Sequence, residues 1–130
     1  MAEQDMWDRI VKRIRYLKKE WRSASMRKKA AYSAASQTTE HTNMQSCRAE
    51  VNGMCRVLRE CTSIIPEERI DSVIECLEKI RDSVSREGFG AVGMCSYSEN
   101  QAMRLPLTKT INVLKQKKNR NLHSQEKYFQ

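Results

Sequence analysis

Between Met44 and Val84 the apolar residues recur at steps of three and four, and the pattern is interrupted once, at Pro66. Met44, Cys47, Val51, Met54, Leu58, Cys61 and Ile65 make a first stripe; Ile70, Val73, Leu77, Ile80 and Val84 make a second. At about 3.6 residues per turn, this spacing keeps each set on one face of an α-helix. Proline lacks an N–H and clashes with the carbonyl four residues back, so Pro66 cannot lie inside either helix. It suits a first helical position, and Glu67 and Glu68 behind it suit the positive end of the helix dipole. The spacing predicts a central antiparallel helical hairpin over 44–87.

A third run opens the chain. Trp7, Ile10, Ile14, Leu17, Trp21, Ala24, Lys28, Ala31 and Ala35 keep the same alternation, which predicts a helix over 5–36 capped by Asp5. Sustained over about four heptads, the stripe reads as a coiled-coil seam, strong to Trp21 and thinning into alanine beyond it. From Ala35 to Met44 the stripe rotates by about 200°, onto the opposite face. A break within Gln37–Asn43 is therefore expected, in place of one helix over 5–62. After the hairpin come a glycine-rich connector (88–97), a short helix (98–118) striped by Leu107, Ile111 and Leu114, and a disordered basic tail (119–130). The expected fold is all-α: one domain over 1–118, an elongated helical bundle or coiled coil with a central hairpin and a short C-terminal helix.

Apolar residues are 39% of the chain and aromatics 6%, against 31% charged. Stripes this narrow bury little area per turn, so the expectation is that a neighbouring polypeptide covers their seams. The partner-facing residues would be Trp7, Ile10, Ile14, Leu17, Trp21, Met54, Leu58, Ile70 and Leu77. The two tryptophans would be the anchors, since large aromatics dominate interface energies.

The formal net charge is +8, and both ends of the chain are basic while the second arm of the hairpin is acidic. Basic ends point to phosphates or acidic partners. Lys12, Arg13, Arg15, Lys18, Lys19 and Arg22 would lie along a nucleic-acid backbone, each neutralising a phosphate without reading sequence. Lys115, Lys117, Lys118 and Arg120 fit the K-K-x-R pattern of a nuclear import signal, a short and common motif.

Chemistry finds little footing. Five cysteines, an odd number without a Cys-x-x-Cys pair, and no leader-like N-terminus argue against a disulfide framework and for an intracellular location, with the basic run 115–120 favouring the nucleus over the cytoplasm. His41 and His123 stand apart, so no metal ligand set and no catalytic triad is expected. Gly88 to Gly93 spells G-x-G-x-x-G, but a helical pattern precedes it and no acid lies between Glu99 and Glu126 to hold a ribose. No run reaches the length of a membrane span. The expected protein is a non-enzymatic adaptor or scaffold subunit of a hetero-oligomeric complex, with no cofactor and no small-molecule substrate. Phosphate-backbone binding is the second reading. Salt separates the two, because phosphate binding weakens steeply with ionic strength and seam-driven assembly does not.

Overall fold

The computed structural model of the chain describes residues 5–87 and 97–128. They form four helices: α1 (Met6–Ala30), α2 (Ala34–Glu60), α3 (Glu67–Glu87) and α4 (Tyr97–Tyr128), with one turn of 3₁₀-helix at Thr62–Ile64 between α2 and α3. The connector expected at 88–97 lies outside the described residues, except that Tyr97 opens α4. An all-α bundle is what the apolar periodicity predicts.

Asp5 caps α1 as expected, its carboxylate accepting from the Trp7 amide at 2.7 Å. The break between the first two helices comes earlier than Gln37–Asn43. Ala31 is extended, and Ser33 caps α2 by accepting from the Ser36 amide at 3.1 Å. Breaking at Ala31–Ser33 frees α2 to set its own rotation, which removes the mismatch between the stripes. The polar stretch 36–43 is accordingly helix and not linker.

Charge contacts give the helix directions. Arg13 meets Glu50 at 2.8 Å and Arg27 meets Glu40 at 3.0 Å, so α1 and α2 run antiparallel. Lys115 reaches Glu78 at 3.4 Å and Lys118 reaches Asp71 at 2.5 Å, so α3 and α4 do too. Arg59 meets Thr110 and Lys117 meets Thr62, which makes α2 and α4 parallel.

The hairpin over 44–87 is only half realised. Its reversal is present, but its arms do not pack on one another. Among the described residues α2 packs against α1 and α4, and α3 packs against the same two helices. Consecutive helices α2 and α3 thus sit across the diagonal of the bundle. Neighbouring axes lie roughly 10 Å apart, so the diagonal is about 14 Å. The link Cys61–Pro66, with Ile65 extended, is long enough to cross that distance at about 3.3 Å per residue. Ile65 is buried at the crossing, and Lys117 donates to the Thr62 carbonyl and, at 3.1 Å, to that of Ile65.

The stripes meet on a common axis. Ile14, Leu58, Leu77, Leu107, Ile111 and Leu114 are all fully buried in one continuous core. Helix α4 passes through Pro106 and runs on over 119–128, where a disordered tail was expected. A proline inside a helix costs about 3 kcal/mol. Met103 and Leu107, buried on either side, offset it by packing, and the Thr110 hydroxyl donates to the Pro106 carbonyl at 2.8 Å. Beyond Pro106 no further proline or glycine stops the helix.

Candidate interaction surfaces

The residues expected to face a partner lie inside this chain. Trp7, Ile14, Leu17, Trp21, Leu58, Ile70 and Leu77 are buried in the core, and Ile10 and Met54 are half-buried against it. The expectation of uncovered seams is corrected for a physical reason. A stripe too thin for a two-helix contact is wide enough when it faces the centre of four helices, because every side chain there has neighbours on three sides. Both indoles are among the covered groups, at 5% and 4% exposure.

Among the described residues, three of the seams carry opposite charges. Across α1–α2, Arg13 and Arg27 face Glu50 and Glu40 beside a recess of about 360 Å³ that also holds Glu20 and half-buried Cys47. The Arg27 guanidinium holds the Glu40 carboxyl below the usual carboxylate range. Across α3–α4, Lys115 and Lys118 face Glu78 and Asp71. Where α1 meets α3, Arg69 bridges Asp5 at 3.2 Å and Asp8 at 3.9 Å.

The α2–α4 seam is different. Along it run two adjoining recesses of about 380 and 430 Å³, which share Arg59. Arg48, Arg59 and Lys109 line the first; Arg59, Lys117 and Arg120 line the second; among the described residues no carboxylate lines either. The cations are positioned by neutral oxygens. Arg48 donates to the Gln45 side chain at 2.6 Å, and Arg59 donates to the Thr110 hydroxyl at 3.0 Å. Lys117 donates to the backbone carbonyls that end the crossover. Orienting a cation in this way leaves its charge uncompensated. Ala49, Ala102, Pro106 and Leu105 give the first recess an apolar wall, and Leu105 is 54% exposed.

The cations expected on the first helix divide. Lys12, Arg13, Arg15 and Lys19 are exposed, with Arg13 stacked 5.2 Å from the centre of the Tyr16 ring. Lys18 is 7% exposed and Arg22 half-buried, so neither stands on the outer face, and Lys18 is withdrawn as a phosphate contact. The reason is rotation: Lys18 falls between Ile14 and Trp21 on the inward side. The basic run 115–120 belongs to α4 and not to a free tail, and Lys115, Lys117 and Lys118 are each tied to another part of the bundle.

Two thiols are held in the protonated form. Cys47, Cys55, Cys61 and Cys76 are free. Burial first, then Glu20 and Glu50, push the Cys47 thiol above its ordinary range. Burial pushes Cys55 up to about 11, against a smaller lowering by Thr110 and Arg59. A thiol that stays protonated is a poor nucleophile. Among the described residues no cluster of three or more His, Cys, Asp or Glu is placed to hold a metal ion, and no helix is long and apolar enough to cross a membrane.

The α2–α4 groove escaped sequence reasoning because its residues come from stretches about fifty positions apart. The signal available was weaker: Arg48 and Arg59 on one helix, and Lys109 and Arg120 on another, repeat every eleven residues, or about three turns. Each pair therefore shares a face. Comparison with protein families, curated proteins and solved structures finds no match to this chain.

Proposed function

We propose that the chain is a non-enzymatic adaptor subunit of an intracellular hetero-oligomeric complex, and that it meets its partner through surface charge. The observation that carries this reading is the α2–α4 seam, where cations gather without an opposing carboxylate among the described residues. With the apolar stripes enclosed, surface charge and single exposed apolar side chains such as Leu105 remain for recognition, and complementary charge sets partner choice and encounter rate. A nuclear location is part of the proposal and rests on the basic run 115–120 alone.

Native mass spectrometry of the chain recovered from its own cells tests this. The expected result is a hetero-complex at moderate ionic strength that dissociates as salt is raised, since exposed charges are screened over about 10 Å at 0.1 M. A chain that co-purifies with nothing at low salt overturns the reading.

The second reading, a factor that holds nucleic-acid phosphates, is supported by the row Lys12, Arg15 and Lys19. All three are exposed, at helical steps of three and four. That places them roughly 5–6 Å apart along one edge of α1. Fluorescence anisotropy with a labelled duplex distinguishes it. Affinity should fall linearly on a log–log salt plot, with a slope that drops by about two when Lys12 and Lys19 are replaced by glutamine.

A further inference from the structure

We infer that the α2–α4 groove is a docking site for an acidic amphipathic helix of a partner protein, with one aliphatic side chain seated on the Leu105 wall. The inference rests on the adaptor reading and adds the partner chemistry that the reading lacks.

Three observations select this occupant. The first is charge: Arg48, Arg59, Lys109, Lys117 and Arg120 line two recesses that meet at Arg59, and among the described residues no carboxylate lines either. The described seams α1–α2 and α3–α4 have acids in the equivalent places, so this seam could have been laced in the same way and is not. The second is the wall. Leu105 is 54% exposed beside Pro106 and two alanines, an apolar shelf at the mouth of a cationic channel. A phosphate backbone has no use for such a shelf, whereas an amphipathic helix presents acids and an aliphatic anchor together. Among the described residues no aromatic side chain lines the groove to give bases a platform for stacking. The third is shape. From Ala102 to Arg120 the groove follows α4 for about 27 Å at 1.5 Å per residue, enough for a helix of roughly eighteen residues. Two parallel helices form its walls, and a third helix lying between them repeats the packing found inside bundles.

The chain holds no obvious occupant of its own. The segments outside the described residues, 1–4, 88–96 and 129–130, contain a single acid, Glu3.

The test uses the full chain and a fluorescein-labelled peptide of about eighteen residues. It carries Glu and Asp on one face and Leu at three- and four-residue steps. A scrambled peptide of equal charge and a duplex oligonucleotide serve as competitors. Fluorescence anisotropy should show binding of the patterned peptide, at least tenfold tighter than the scrambled one. The double variant Arg48→Glu with Lys109→Glu should weaken it at least tenfold, and Leu105→Ser should weaken it about threefold. Lys12→Glu with Lys19→Glu, on the far face, should leave it unchanged. Circular dichroism melts establish that the variants are folded. If a groove variant does not fold, Leu105→Ser and chemical-shift changes confined to α2 and α4 carry the test.

Equal binding of patterned and scrambled peptides, equal loss in the α1 variant, or displacement by the duplex at matching affinity overturns the inference. Saturable self-association through α3, abolished by the groove variants, overturns it in favour of a second copy as occupant. The adaptor reading fails separately. A cellular complex that survives the groove variants removes the groove and keeps the adaptor, while a chain without any partner removes both.

Discussion

The α1–α2 seam and the α2–α4 seam share a helix and a core, and they differ in what stands at their edges. In the first, antiparallel packing sets Arg13 and Arg27 against Glu50 and Glu40. In the second, parallel packing sets the Arg48 and Arg59 face of α2 beside the Lys109, Lys117 and Arg120 face of α4. Like charges along a seam oppose association, so the apolar floor and the Arg59–Thr110 hydrogen bond hold this pair together without cross-seam ion pairs among the described residues. A laced seam stabilises its own fold slightly and has little left to offer. An unlaced one keeps its charge for a ligand.

Breaking the floor should produce the largest effect. Ile14 and Leu77 are fully buried, and replacing either by alanine should cost about 2–5 kcal/mol, read as a shift of the denaturant midpoint. A loss of a few tenths would mean that the four stripes do not share one core.

Alkali should act next, through Cys55 under the α2–α4 seam. Its folded thiol holds its proton up to about 11, against an ordinary value of 9.0. Below pH 9 both states are protonated and the stabilisation is intact. Between 9 and 11 only the unfolded chain ionises, so stability falls as pH rises. The loss should approach about 3 kcal/mol, and urea titrations across that window should show a clearly larger loss in the parent chain than in Cys55→Ala, where half-buried Cys47 still contributes.

Thr110→Val keeps the shape of the seam and removes the hydroxyl that accepts from Arg59 and donates to Pro106. A loss of about 1–2 kcal/mol is expected, with Arg59 released toward solvent. The smallest effect sharpens the comparison most. Lys109→Glu should raise the melting temperature slightly, by relieving repulsion along α2–α4, whereas Glu50→Lys should lower it by breaking a laced pair. Shifts of the same sign would mean that the two seams are electrostatically alike.

Much of the local structure was legible before folding. The stripes of α1, α2 and α3 reappear as core positions, Asp5 caps, and Pro66 immediately precedes α3. The misses have separate causes. Cys55 replaces Met54 as the inward residue of α2 because the helix turns its stripe toward two neighbours instead of one. Lys18 reads as a solvent cation by type, but its phase is inward. Continuation of α4 through Pro106 is a case of packing overriding propensity. The candidate groove was the least legible part, because no short window contains it.

Sequence alone determined that this chain is helical, where its apolar stripes run and how α1 begins, because periodicity, capping and proline chemistry act within a turn or two of helix. Only the tertiary structure decided that α2 and α3 lie diagonally, that the tryptophans face inward, and that two basic faces stand side by side. Those outcomes depend on which of several near-equivalent stripe pairings best fills a common core, a sum over all four helices that no single helix encodes.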